Sequence, residues 1–218
     1  MNIEKISLKI CGITNSKSIQ NAYKNKIQSL GFASNNLEGP NTVNDSKIKN
    51  LIKECNHYKI ESVLLTKNFS LKDIIKQIGF VKPKTISCSH HFKNQELKKI
   101  KTTFKKLKIG ISINPESYDR KYIKSIKDSV DIFYYDLNVY KKNKIKKYSL
   151  EKNLEQIKFI KKMSIPIYIG GGINHDNVKK IIKFIKPYGV DVSRSLKNKS
   201  NTISNAKLKK FLSEMCIA

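Results

Sequence analysis

Two hydrophobic periods alternate along this chain from end to end, and that alternation restricts the fold more than any other feature. Short runs rich in Ile, Val, Phe and Tyr recur as Ile6–Cys11, Ser29–Ala33, Ser62–Thr66, Lys84–Cys88, Lys108–Ile113, Asp131–Asp136, Pro166–Gly170 and Gly189–Ser193. Their length and β-branched and aromatic content predict strands. Between them lie longer stretches with apolar residues at i, i+3 and i+4, which fall on one face of a helix. Lys47–Cys55, Leu71–Ile78, Tyr122–Lys127, Leu154–Lys162, Val178–Ile185 and Ala206–Met215 show this spacing. Helix-start residues stand where they are needed: Asn15 and Ser16, Ser70, Ser149, and Asn174 with Asp176.

Strands that alternate with helices are joined by crossovers, and crossovers make parallel sheets. A doubly wound open sheet and a closed barrel both satisfy that rule. Eight strands at even spacing, with no break in composition, favour an α/β (βα)8 TIM barrel occupying residues 1–218 as one domain. The run Lys141–Lys147 (KKNKIKK) is the most biased segment. It follows the sixth strand, so it is expected as a βα loop on the catalytic face.

Charge bears on possible partners. The chain carries 44 Lys+Arg against 17 Asp+Glu, a formal net charge of +27. Arg120 and Arg194 are its only arginines, and the lysines are spread over every predicted helix instead of forming one stripe. That distribution reads as a solvated surface with weak, salt-sensitive attraction to polyanions, not as a specific nucleic-acid site. No apolar run approaches the length of a membrane span, so no membrane partner is expected. Residues 1–10 lack a signal-peptide core, so a cytoplasmic protein is expected. Cys11, Cys55, Cys88 and Cys216 are too widely and irregularly spaced for a disulfide framework or a zinc site. Adjacent His90 and His91 have no companion ligands at metal spacing.

In a barrel the reacting groups sit at the C-terminal ends of strands. That rule selects Cys11, Thr66, Cys88–His91, Asn114, Asp136, Gly170–Gly172 and Ser193–Ser195. Gly170, Gly171 and Gly172 separate the seventh strand from its helix, and bare glycines let main-chain N–H groups approach an anion closely. Ser193, Arg194 and Ser195 follow the eighth strand. Loops seven and eight together are the usual phosphate site of barrels. Taken alone, the two segments are also an ordinary glycine turn and an ordinary polar loop. Cys11 is a possible base or nucleophile if its pKa is lowered; alone, a Cys there is more often the small apolar residue that strand ends bury. Asp136 follows a largely apolar strand, where desolvation raises a carboxyl pKa and suits a general acid; alone, it also serves as a cap.

Together these residues resemble one family. Lys9-Ile10-Cys11-Gly12-Ile13-Thr14, Gly31-Phe32, Gly171-Gly172-Ile173-Asn174 with Asn177-Val178, and Val190-Asp191-Val192-Ser193 are similar to phosphoribosylanthranilate isomerase. The resemblance implies a barrel of the phosphate-binding type that performs an Amadori rearrangement in tryptophan biosynthesis. It implies no cofactor, no metal and a small-molecule phosphorylated substrate, N-(5-phosphoribosyl)anthranilate. Cys11 would be the general base at C2 of the opened sugar and Asp136 the general acid at the ring oxygen. Gly171, Gly172, Ser193, Arg194 and Ser195 would hold the phosphate. A monomer or homodimer is expected.

The chain departs from the family pattern in three loops. Residues 34–43 carry no arginine, 140–148 carry lysines and no glycine, and the fourth strand ends Ser87-Cys88-Ser89-His90. These differences leave open a divergent barrel that keeps the phosphate site for another phosphorylated ligand.

Overall fold

The computed structural model describes residues 6–37, 41–141 and 144–216. Eight parallel strands form its centre: β1 (Ser7–Ile10), β2 (Ser29–Ser34), β3 (Glu61–Thr66), β4 (Thr85–Cys88), β5 (Lys108–Ile113), β6 (Ile132–Asp136), β7 (Ile167–Gly170) and β8 (Gly189–Val192). Each pairs in parallel with the next, and β8 pairs with β1 through Ser7↔Gly189 to Ile10↔Val192, which closes the barrel. The alternating helices are α1 (Ser16–Lys24), α2 (Asp45–His57), α3 (Leu71–Val81), α4 (Asn94–Thr103), α5 (Arg120–Ile126), α6 (Leu150–Lys161), α7 (Val178–Ile185) and α8 (Asn205–Cys216). The expected (βα)8 architecture is therefore present, with strand bounds within two residues of those read from the sequence.

Local chemistry explains where the helices begin. Asn15, Asn44, Ser70 and Ser149 each accept a main-chain N–H three residues on, which satisfies one of the free donors of a first turn. The seventh helix is a correction, because its N-cap is Asn177. Asn174 instead accepts from the N–H of Asp176 and Asn177 at 2.9 and 3.2 Å, forming a turn that leads from Gly172 into the helix. Within the expected βα loop after β6, Asn138–Lys141 pairs antiparallel with Lys144–Lys147. Positions 142 and 143 of that run, and 38–40 of the loop after β2, lie outside the described residues.

The strand period sorts side chains into two compartments. Leu8, Ile10, Phe133, Ile167, Ile169, Val190 and Val192 face outward and are buried beneath the helices. A separate apolar cluster inside the barrel joins Val63, Tyr134 and Tyr168 with Leu65 and Ile132. Neighbouring glycines make room for its tyrosines. A Cβ on Gly110 would lie 2.5 Å from the Tyr134 ring, and one on Gly189 would overlap the Tyr168 ring. The Tyr168 hydroxyl donates to Ser7 Oγ at 2.9 Å. This layer fills the N-terminal half of the barrel and leaves the polar groups above it at the C-terminal mouth.

Candidate active site

On β1 and β8 the same alternation turns Lys9 and Asp191 inward, and the register places them opposite each other. Lys9 Nζ donates to Asp191 Oδ2 at 2.5 Å and lies 4.6 Å from the Tyr134 ring centre. Lys9 is fully buried; burial is the largest single influence and opposes its charge, but Asp191, Cys11 and Tyr134 together outweigh it, so its ammonium is held above its usual range. Asp191 Oδ1 is buried and finds no hydrogen-bond donor among the described residues. Both residues lie in the motifs quoted from the sequence, which gave neither a role.

Cys11 directly follows β1, and its main chain is fixed on both sides. Its N–H donates to the Val192 carbonyl at 2.8 Å, and its carbonyl accepts Ser193 Oγ at 3.1 Å. Burial pushes its thiol pKa up to about 11; Lys9 and Lys197 oppose the rise and Asp191 adds to it. Desolvation outweighs the two cations, so the thiol sits above its usual range in this arrangement. Lys197, absent from the sequence reading, is buried behind Cys11, and its Nζ donates to the Gly12 carbonyl.

Asp136 ends β6, opposite Gly170 of β7. Burial raises its pKa from 3.8 to about 7. The Asn138 N–H, 2.9 Å from Oδ1, opposes that rise, Asp191 reinforces it, and Lys9 and Arg194 oppose it. A Cβ on Gly170 would meet Asp191 Cβ at 3.5 Å. Cys11 and Asp136 both feel Lys9 and Asp191, so the two sequence candidates belong to one electrostatic cluster at one mouth. Gly171 and Gly172 turn away beside them at φ +96° and +78°, in the left-handed region. A Cβ on Gly171 would overlap Asp136 Oδ1 and lie 2.6 Å from the Leu137 nitrogen.

The segment after β8 reaches the same mouth. Arg194–Leu196 forms a single 3-10 turn. Ser195 Oγ donates to the Ile173 carbonyl at 2.8 Å, which ties this turn to the glycine loop. In this arrangement the protons of both Ser193 and Ser195 hydroxyls point at carbonyls. Their oxygens brace the two loops against each other, and main-chain N–H groups remain the natural anion donors.

The remaining strand-end candidates stay outside this cluster. Thr66 bonds Gln77 and Asn36, which belongs to a network joining the ends of β2 and β3. Asn114 accepts from the N–H of Glu116 and Ser117 and forms a turn. The His91 ring stacks on Tyr122 at 4.5 Å, and burial lowers its pKa. Cys88 packs outward in the helix-facing core. Among the described residues, no group of three or more His, Cys, Asp or Glu could hold a metal ion, and no helix is long and apolar enough to cross a membrane.

The sequence profile of N-(5'phosphoribosyl)anthranilate (PRA) isomerase matches residues 8–214. The chain belongs to this family. A relative from Methanocaldococcus jannaschii, N-(5'-phosphoribosyl)anthranilate isomerase, is 26% identical, with 97% of each chain covered. The solved isomerase from Pyrococcus furiosus superposes with a TM-score of 0.75 at 17% identity, covering 98% of this chain and all of that one. An isomerase solved in complex with reduced 1-(o-carboxyphenylamino)-1-deoxyribulose 5-phosphate gives 0.73 at 14% identity, with 98% of this chain and all of that one covered. At such identities the superpositions show the shared barrel and nothing finer.

Proposed function

We infer that this family member converts N-(5-phosphoribosyl)anthranilate into 1-(2-carboxyphenylamino)-1-deoxyribulose 5-phosphate, an Amadori rearrangement in tryptophan biosynthesis. The observation that carries the reading is the pairing of Cys11 and Asp136 with the same buried ions, Lys9 and Asp191. Aldose-to-ketose chemistry needs one group that gives a proton and one that takes a proton, both held over a single sugar. A carboxyl with pKa near 7 is half protonated at neutral pH. Asp136 then protonates the furanose oxygen as the C1–O bond breaks, leaving an iminium between C1 and the anthranilate nitrogen. Cys11 as thiolate removes the C2 proton, whose electron pair neutralises the iminium and gives an enolamine. The enol hydroxyl at C2 loses its proton and C1 gains one, completing the isomerisation with no redox partner.

Gly171, Gly172, Ser193, Arg194 and Ser195 are assigned to the substrate phosphate. The glycine main chain and the 3-10 turn supply N–H donors, Arg194 supplies charge, and the two serines hold the loops in register. Fixing the phosphate positions the sugar between acid and base, so the remote contact contributes to the rate. The test follows loss of the fluorescence of phosphoribosylanthranilate. Turnover that disappears in Cys11→Ala and falls about 10²–10⁴-fold in Asp136→Ala supports the reading. A wild-type protein that binds phosphate at the glycine loop without turning over this compound overturns it, and favours another phosphorylated ligand.

A further inference from the structure

Among the described residues, Lys9 and Lys197 are the only buried lysines, and both stand beside Cys11. Their situations differ. Lys9 is matched by Asp191 at 2.5 Å. The Lys197 ammonium donates to the Gly12 carbonyl, and among the described residues no carboxylate lies within ion-pair distance of it. A Cβ built on Gly12 would lie 3.0 Å from Lys197 Nζ, so the ammonium is pressed against the residue that follows the thiol.

The other walls of the thiol are apolar or already balanced. From β2 and β3, a Cβ on Gly31 would touch Cys11 Sγ at 3.0 Å and Leu65 Cδ1 at 3.1 Å, so these strands bring no charge. From β8 comes Asp191, tied to Lys9; beyond that pair stand Tyr134 and Asp136 on β6, with Arg194 exposed at the rim. Below about pH 7, with Asp136 protonated and Cys11 a thiol, the buried group of Lys9, Asp191, Lys197, Cys11 and Asp136 carries one uncompensated positive charge. Release of the thiol proton to solvent makes it neutral. An unmatched buried charge is costly, so the surplus cation favours the thiolate.

We propose that Lys197 is a positioning residue for Cys11, its buried ammonium supplying the charge against which the thiol ionises. This assignment rests on Cys11 being the base, and it adds the reason why a thiol walled by apolar groups can serve as one. Burial lowers the pKa of Lys197 itself to about 8, which fits an ammonium lacking a carboxylate partner.

Cys11 is the readout, measured in a Cys216→Ser background because Cys216 is the exposed thiol while Cys55 and Cys88 are buried. The rate of iodoacetamide alkylation at Cys11 is followed by mass spectrometry across pH, beside kcat and KM at the same pH values. Lys197→Gln retains a donor for the Gly12 carbonyl and removes the charge. It is expected to cut alkylation about tenfold near pH 7, where the Lys197 ammonium is charged, with the two proteins converging above about pH 8, where that ammonium loses its proton. Its kcat is expected to fall in step and recover at high pH, with KM little changed. Lys197→Arg keeps its charge above pH 8 and is expected to lower the midpoint relative to wild type. An unchanged alkylation profile in both variants overturns the proposal, as does a loss of kcat that is uniform with pH. Should Lys197→Gln fail to fold, the Arg variant alone decides by the direction of its shift. Alkylation needs no substrate, so a wild-type protein without isomerase activity would defeat the functional reading and still report on Lys197.

Discussion

Replacing Asp136 with Asn separates what the carboxyl does for the reaction from what it costs the fold. Asn keeps the acceptor at the Oδ1 position, so the bond from the Asn138 N–H survives, while the ionisable proton is lost. Burial holds the wild-type group at about 7 against an ordinary 3.8. A carboxyl that binds its proton more tightly in the native state stabilises the fold fully below about pH 4. That contribution is lost as pH rises through 7, where the buried group must ionise. At about 1.36 kcal/mol per pH unit the difference is about 4 kcal/mol, an upper bound because the side chain keeps partial contact with solvent. Urea unfolding at pH 5 and pH 8 measures it. Between these two pH values wild type is expected to lose up to about 2.6 kcal/mol relative to Asp136→Asn, which should be the more stable protein at pH 8 and should have lost about 10²–10⁴ in kcat. Equal pH dependence in the two proteins would refute the claim that Asp136 is held neutral by burial.

Three further outcomes follow from the same geometry. Lys9→Met leaves Asp191 as an unpaired buried anion and should cost about 3–5 kcal/mol in chemical denaturation, whereas the double variant Lys9→Met/Asp191→Leu should recover most of it. Gly171→Ala puts a methyl against Asp136 at a left-handed φ, at a strain of about 1–2 kcal/mol; kcat should fall more than tenfold, while Gly172→Ala, whose methyl meets the Asn138 side-chain amide at 3.2 Å, should act mainly on KM. The diffuse lysines should give heparin retention that disappears near 0.2 M salt; retention well above that concentration would indicate a concentrated basic site.

The barrel was legible because its two periods are written into the apolar residues, and those depend on burial alone. The Cys11, Asp136 and glycine-loop positions were legible because barrel topology fixes which strand ends meet. The hairpin formed by Asn138–Lys141 and Lys144–Lys147 was not, since its Lys-rich composition hides any alternation. Lys9 and Lys197 stayed hidden for a related reason: in a chain this rich in lysine, no local signal marks the two that are buried. The direction of the Cys11 pKa shift was not legible, because residue identity does not show the water excluded around a thiol. Lys197 shares no motif with Cys11 and comes next to it only when β8 closes against β1.

The tyrosine layer gives the molecule the shape of a cup and not of a tube. Tyr134 and Tyr168, seated over Gly110 and Gly189, stop the lower end. Reactant and product therefore share one doorway, and a ring-opened sugar cannot drain out beneath. Each molecule of product must leave past the rim before the next can enter, so exchange at the mouth and the chemical step compete for the same space.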